Sequence, residues 1–429
     1  MKHSWWRLME LRIGVLPLPV YVAVFGVITY FVIWGKLPTE VNMAIAVLSI
    51  GGFTCAELGK RLPLIRQIGG AAICATFIPS ALVFYKLLPV PIVELVTGFT
   101  KSTNFLYLFI TAIIVGSILG MDRTALVRGF AKIFVPLAIG SVAAGIVGTV
   151  VGTLLGLGAR HTLFFLVVPI MAGGVGEGAI PLSTGYSEIL HVKQGEVFAE
   201  VLPVVMLGSL TAILLSGALN LLGKKYPRLT GEGRLQPGTG SELASESAEA
   251  TQPPDVTHIA AAVLFAISLY LLGLLCKELV GLPAPVAMLF LAVLVKLAGA
   301  ASPQLQAGSF FVFRFFQVAV TYPLLFAIGV SMTPWETLVA AFAVPKLITI
   351  VATVATLVGC GFVVGKWMNL YPIETAIVNA CHSGQGGTGD VAILTAANRM
   401  QLMPFAQIAT RIGGAITVTL VLIGLTQIA

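Results

Sequence analysis

Stretches of about twenty consecutive apolar residues recur along this chain, each long enough to cross a bilayer's hydrocarbon core as one helix. The spans read as 13–34, 41–58, 68–88, 105–121, 130–157 and 196–222, then 257–276, 280–300, 309–332, 338–364 and 405–428. A water-soluble globule is excluded. Only 10% of the residues are charged and 57% are hydrophobic, whereas soluble domains carry about 25% charge. Intrinsic disorder is excluded by the same balance. Porin-like barrels do not fit either, because their strands alternate apolar and polar residues. The expected fold class is an all-α polytopic membrane protein with eleven transmembrane helices.

A net charge of +7 points, in such a chain, to positive-inside topology and anionic lipid rather than to nucleic acid. Cys55, Cys74, Cys276, Cys360 and Cys381 are scattered and have neither metal-ligand nor redox spacing. Lys2, Arg7 and Arg12 precede the first apolar run, which is too long for a signal-peptide core and lacks a small-residue cleavage site. It reads as a retained N-terminal extra helix, in segment 1–40.

The one long polar stretch, 223–257, holds Lys224, Lys225, Arg228 and Arg234 and then a Gly/Ser/Glu/Pro-rich run. It reads as a flexible cytoplasmic linker between two halves, 41–222 and 258–429. Two segments fit no simple span. Residues 162–186 and 373–397 each set apolar arms of about ten residues around a glycine-rich centre, and such an arm spans only half the hydrocarbon thickness. Each is either a broken span or a re-entrant hairpin. Charge counting separates the two. With both as hairpins and the N-terminus inside, 17 Lys and Arg fall inside and 7 outside; with both as full spans the counts are 13 and 11. The positive-inside rule favours hairpins and an external C-terminus.

Gly173-Gly174-Val175-Gly176-Glu177-Gly178-Ala179-Ile180 aligns with Gly386-Gly387-Thr388-Gly389-Asp390-Val391-Ala392-Ile393. Both read G-G-x-G-acid-x-A-I. With the spans around them, they divide the chain into two five-helix repeats, inverted in the membrane, that follow the extra helix. Irregular backbone at membrane depth is tolerated only where protein or a water-filled cavity satisfies it. Paired glycine interruptions therefore point to a transporter's substrate site. Glycine lets a ligand approach the main chain, and a half-helix N-terminus directs free N–H groups and a positive dipole end at an anion.

Arg411, inside the last span, supplies a cation there. Two readings stand. One is a bidentate clamp on a substrate carboxylate. The other is a structural residue that snorkels or pairs with Asp390 or Glu177. Glu177 and Asp390 read as caps at half-helix N-termini rather than proton carriers. His382 reads as a satisfied polar residue, Arg399 as a surface residue ending the second hairpin, and Lys346 and Arg314 as snorkelling span-end residues. Trp5, Trp6, Trp34 and Trp335 read as interfacial anchors.

The pair AGGVGEGAIPLS and SGQGGTGDVAILTAANRMQLMPFAQIATRIGGA resembles the bacterial 2-hydroxycarboxylate transporters, which carry citrate, malate and lactate. The resemblance implies two inverted five-helix repeats, elevator-type alternating access, a homodimer and the bacterial cytoplasmic (inner) membrane. It assigns Arg411 to a substrate carboxylate, and Gly387, Thr388 and Gly389, with Val175 and Gly176, to the substrate-facing motifs. Sodium ligands are implied at main-chain oxygens beside the hairpins: Ile170 and Gly173, with Cys381, His382 and Gly384. Gln385 is a departure. The sodium–citrate members carry a second arginine at this place, so one fewer cation favours a dianion such as malate over citrate.

A dianion entering at −100 mV opposes the field by roughly 4.6 kcal/mol, so uptake needs co-transported cations. The expected function is symport of a hydroxydicarboxylate with Na+, H+ being the alternative coupling ion, and no organic cofactor. Malate/lactate exchange is left open by the residues, as is a passive anion channel. An enzyme is not expected: the spans carry no two-aspartate, Ser–His or HExxH arrangement.

Overall fold

Hydrocarbon offers no partner to a main-chain N–H or C=O, so a chain with these apolar runs must satisfy its backbone within helices. The computed structural model describes residues 2–62, 70–120, 123–236, 255–280, 284–340, 342–385 and 387–428. In chain order its helices are α1 (Lys2–Glu10), α2 (Leu18–Trp34), α3 (Val41–Arg61), α4 (Gly70–Phe84), α5 (Val90–Thr103), α6 (Phe105–Leu119), α7 (Arg123–Leu154), α8 (Ala159–Ile170), α9 (Ile180–Leu190) and α10 (Gln194–Lys225). Next come α11 (Val256–Val280), α12 (Ala284–Ala298), α13 (Pro303–Ser331), α14 (Trp335–Ala340), α15 (Val344–Trp367), α16 (Pro372–Cys381), α17 (Gly387–Ala396) and α18 (Phe405–Gln427). Seven are long and apolar enough to cross a membrane, or eight if Val90–Thr103 and Phe105–Gly116 count as one bent span. The chain is an all-α polytopic membrane protein.

Several boundaries differ from the sequence reading. The first span begins at Leu18, because Arg12–Ile13 and Leu16–Pro17 form a small antiparallel pair turned at Gly14, where φ is +62°. Helix α5 lies where no span was expected; Pro91, Glu94 and Lys101 dilute its hydropathy, and Asn104, at φ 45°, separates it from α6. Helix α13 starts six residues before the expected 309, since Gln304 and Gln306 hid its first turns. Trp6 and Trp34 are exposed, whereas Trp335 packs edge-on against Phe77. The side chain of Trp5 lies outside the description.

The chain divides into two compact units. The first comprises Met1–Phe109, Lys193–Ala199 and Arg314–Ala340. There the later part of α13 lies against α3 and α4. A Cβ on Gly52 would come 2.5 Å from the Tyr322 carbonyl, so helix backbones touch as small residues allow in membranes. Ser80 Oγ donates to the Thr333 carbonyl at 2.7 Å.

The second unit comprises Ile110–Val192, Glu200–Phe313 and Ala341–Ala429. Long helices α7 and α15 pack together, and Val354, Leu357, Ile373, Ile377 and Val167 belong to the buried cluster beside them. Both glycine-interrupted segments lie here, and within each the two arms touch. In the first, Tyr186 on α9 donates to the carbonyl of Phe164 on α8 at 3.0 Å, which brings the two arms side by side. In the second, α16 is tied to both long helices by Asn379, whose amide donates to the carbonyls of Pro136 (2.9 Å) and Leu357 (3.2 Å).

The base of the second segment closes on a buried ion pair. Glu374 on α16 is wholly buried, and its Oε1 lies 3.2 Å from Arg399 Nε. Thr230 Oγ1 donates to the same oxygen at 2.6 Å, and the Gly233 N–H at 3.2 Å. Arg399 also donates to Thr230 Oγ1 (3.0 Å) and to the Asn398 carbonyl (2.9 Å). Arg399 is therefore not a surface residue. The chain after α10, assigned to the linker by sequence, covers it: the Leu235 carbonyl accepts from the Tyr371 N–H at 3.0 Å. Of the proposed linker, residues 237–254 lie outside the described residues. Lys296, inside the span read as 280–300, is only 2% exposed. The chain turns just after it, and its Nζ donates to the Leu119 carbonyl (2.8 Å) and Gln306 Oε1 (2.6 Å).

Removing one partner of a buried pair strands the other charge and costs about 3–5 kcal/mol. Glu374→Ala should accordingly lower the unfolding midpoint of detergent-purified protein more than Glu374→Gln does. Adding Arg399→Met to Glu374→Ala should recover part of the loss. Thermal unfolding of the three variants checks this, and equal midpoints for Glu374→Ala and wild type contradict it.

Candidate functional site

The last helix, α18, carries a π-helical stretch over Ile408–Gly413, a widening common at functional sites. It contains Arg411 and runs into Gly414. Those two terminal glycines are where the tips of both interrupted segments rest. A Cβ on Gly414 would lie 2.7 Å from Gly173 Cα and 2.8 Å from the Ala172 carbonyl oxygen. A Cβ on Gly413 would lie 2.8 Å from the His382 ring. The first tip can turn so tightly because Gly173 (φ +88°) and Gly174 (φ +103°) take a conformation open to glycine. Any Cβ at 173 would also meet the Thr410 carbonyl at 2.6 Å.

Arg411 is thereby placed among groups from both segments. Its side chain is 6% exposed, and Nε lies 3.6 Å from Glu177 Oε1 in the first turn after the first tip. That contact is ionic but too long for a hydrogen bond. The buried Nε has no hydrogen-bond partner among the described residues. The guanidinium carbon sits 4.8 Å from the centre of the Phe313 ring, a cation–π contact. Of the two readings of Arg411, the structure contains the ion pair with Glu177, and it leaves the fork without a bidentate carboxylate partner from the protein.

Asp390, which holds the same motif position in the second segment, does something different. It is wholly buried in the first turn of α17, and its Oδ1 lies 2.6 Å from Thr410 Oγ1. That hydroxyl also lies 2.9 Å from the Cys381 carbonyl and 2.8 Å from the Ala406 carbonyl, so one proton is shared among three acceptors. Oδ2 of Asp390 has no hydrogen-bond partner among the described residues. His382 Nδ1 meets the Ala409 carbonyl at 2.9 Å, while buried Nε2 has no such partner.

The remaining residues singled out from sequence gather in the same region. Val175 is buried, and Gly176 follows it in the first arm. Gly389 packs against Gln385, whose amide nitrogen lies 2.8 Å from Met206 Sδ. Gly387 begins α17, and the side chain of Thr388 lies outside the description. Ile170 ends α8, and Gly173 lies in the turn that follows. The Cys381 carbonyl already accepts from the Gly384 N–H (2.8 Å) and lies within reach of Thr410. No group of three or more His, Cys, Asp and Glu side chains suited to a metal occurs among the described residues. Sequence reasoning missed Thr410, Phe313 and the seating role of Gly413–Gly414. The glycine pair directly after Arg411 was a visible signal; the ring of Phe313 had none.

The sequence model of the 2-hydroxycarboxylate transporter family matches residues 13–423. Over 428 residues the chain is 57% identical to the citrate/malate-proton symporter of Bacillus subtilis (strain 168), which covers 99% of this chain and 95% of that protein. It is 39% identical over 417 residues to the Na(+)-malate symporter of the same organism (97% and 93% covered). Identity is 28% over 427 residues to the citrate/sodium symporter of Salmonella typhimurium (96% and 94% covered).

The seat on α18 yields a sharp contrast between two glycines of one helix. Gly414→Ala has no room and must push the first tip away from Arg411, an overpacking cost of about 1–3 kcal/mol. Gly424 has nothing within 4 Å of a new Cβ. Substrate uptake by membrane-inserted Gly414→Ala should fall at least tenfold, with Gly424→Ala unaffected. Equal uptake by the two variants contradicts the seating role.

Proposed function

Because the chain belongs to the 2-hydroxycarboxylate transporter family, we propose that it is a secondary symporter of a hydroxydicarboxylate such as malate, with citrate as a further substrate. The family is one of transporters and not of enzymes. The observation that carries the proposal is Arg411: a buried guanidinium in a 3.6 Å ionic contact with Glu177 and a cation–π contact with Phe313. A planar fork in that position is suited to a carboxylate, and an intramembrane cation is costly to keep without such a purpose. Gln385, in place of a second cation, suits a dianion better than a trianion.

For the coupling ion, proton symport is the reading we adopt, supported by 57% identity to a citrate/malate-proton symporter. Sodium, expected from the sequence, is the second reading. It draws on the resemblance to the Na(+)-malate symporter and on main-chain oxygens at Ile170, Gly173, Cys381, His382 and Gly384 as ligands. Either ion must offset about 4.6 kcal/mol for a dianion at −100 mV. The wider frame proposed with it is eleven spans with two re-entrant hairpins, 162–186 and 373–397, in inverted five-helix repeats. The carrier works as a homodimer by elevator motion in a bacterial cytoplasmic membrane, with its N-terminus cytoplasmic and its C-terminus external.

Radiolabelled malate uptake into proteoliposomes tests this, with proton and sodium gradients imposed separately. Accumulation should follow the inward proton gradient; accumulation under sodium alone moves the chain to the second reading. Accumulation driven only by internal lactate replaces symport with exchange, and flux that follows the malate gradient alone replaces it with a channel. Arg411→Lys keeps the charge but loses the fork. It should weaken malate binding at least tenfold, about the loss of one charge-assisted hydrogen bond, in protein that still inserts and folds.

A further inference from the structure

Arg411 and Glu177 form a pair whose geometry is unlike that of the other buried ion pair in this unit. Arg399 and Glu374 are locked by hydrogen bonds from Thr230 and Gly233, with Nε to Oε1 at 3.2 Å. Arg411 and Glu177 approach only to 3.6 Å, with 6% and 12% of their side chains exposed. Glu177 follows the Gly173–Gly174 turn, between Gly176 and Gly178. The first pair is built to stay. The second is more widely spaced, at 3.6 Å against 3.2 Å.

Resting on the symport reading above, we propose that Glu177 is the coupling group: it holds Arg411 while the carrier is empty, and a substrate carboxylate displaces it as it takes up a proton. A charge in a buried site needs a partner in every state of the carrier. An empty carrier with Arg411 alone must reorient with an unpaired cation, which burial penalises heavily. Glu177 cancels that charge. When a substrate carboxylate arrives, Arg411 has a new partner, and Glu177 would be left as a displaced anion in a water-poor site. A proton taken from the entry side onto a Glu177 carboxylate oxygen removes the misfit. Before binding the pair is Glu177 carboxylate and Arg411; afterwards it is Arg411 and the substrate carboxylate beside a neutral Glu177 carboxylic acid. One proton therefore enters with each substrate through Glu177 and leaves with it; it offsets one of a dianion's two charges, and a further co-transported cation offsets the other, about 2.3 kcal/mol at −100 mV.

The groups facing Glu177 are consistent with this role. From α18 comes Arg411, and from the second segment Asp390, which interacts electrostatically with both Arg411 and Glu177. Cys381 interacts electrostatically with Asp390, and His382 Nδ1 is engaged by the Ala409 carbonyl. On the arms of its own segment, the Tyr186 hydroxyl is committed to the Phe164 carbonyl. Glu188 pairs with Lys277, and His161 with Glu200. Asp390, engaged by Thr410, does not reach Arg411 within ion-pair distance and is left in place when the substrate binds.

The test is malate binding to detergent-purified full-length protein by calorimetry between about pH 7 and 9, above the ordinary carboxylate range near pH 4, so that malate's own carboxylates stay ionised. Wild-type affinity should fall toward tenfold per pH unit, the slope of one linked proton, and binding in weak buffer should take up about one proton per malate. Glu177→Gln should bind at least tenfold tighter than wild type at the upper pH, take up no proton on binding, and fail to accumulate malate under a proton gradient. Glu177→Asp, with a shorter reach to Arg411, should keep the pH slope and bind between the two. Wild-type affinity that is flat with pH overturns the proposal. So does proton-driven accumulation by Glu177→Gln, and so does loss of binding at every pH in both variants, which makes Glu177 a packing or substrate contact. Wild type that binds neither malate nor citrate at any pH instead fails the symport reading itself.

Discussion

At Gly173 and Gly414 two backbones approach until a single added carbon would sit 2.7 Å from a Cα, and much of the site follows from that contact. It sets the first tip directly on the last helix, one turn from Arg411. The neighbouring Gly413 does the same for the second tip through the His382 ring. With side chains at those two positions, the motif carboxylates of the two segments would not be gathered around one guanidinium. The π-helical stretch belongs to the same device, since it places Thr410 and Arg411 together at the level of the tips. The result is a polar centre within apolar helices, its charges paired by neighbours and its exposed backbone confined to protein.

Around this centre the second unit is held more firmly than the centre itself. Asn379 fastens one arm to α7 and α15, and Glu374 and Arg399 close the base beneath a strap of chain that follows α10. Those buried polar groups are multiply hydrogen-bonded and resist opening. At the tips, Arg411 Nε, Asp390 Oδ2 and His382 Nε2 have no hydrogen-bond partner among the described residues, and in the frame the same holds for Glu374 Oε2 and Asn379 Oδ1. Buried polar atoms without protein partners beside a guanidinium are groups that a polar ligand can satisfy.

How much of this was legible depends on how local each cause is. The apolar runs declare membrane helices because the bilayer acts on every residue of a span alike. The interrupted segments were visible because G-G-x-G-acid-x-A-I occurs twice, and only glycine tolerates the backbone that Gly173 and Gly174 adopt. Helix α5 was missed because hydropathy averages over Pro91, Glu94 and Lys101, although none of them prevents a helix there. The burial of Arg399 was beyond sequence reasoning, because its cover comes from Thr230 and Gly233, more than 100 residues away in the chain. The pairing of Arg411 with Glu177 stood among the alternatives, but choosing it required knowing that the first tip lies on α18.

The recurrence of the motif makes its asymmetry informative. Glu177 and Asp390 occupy the same motif position, yet one faces Arg411 and the other accepts from Thr410. The two tips meet α18 at successive residues, Gly414 and Gly413, and adjacent residues on a helix point in different directions. The longer glutamate spans the gap to the guanidinium, while the shorter aspartate ends at the threonine hydroxyl beside it. Swapping the lengths would leave Arg411 either crowded by two carboxylates, with nowhere for a third, or held by none. One carboxylate in ionic contact with Arg411 and one hydrogen-bonded to Thr410 thus give the two copies of the motif different chemistry around one cation.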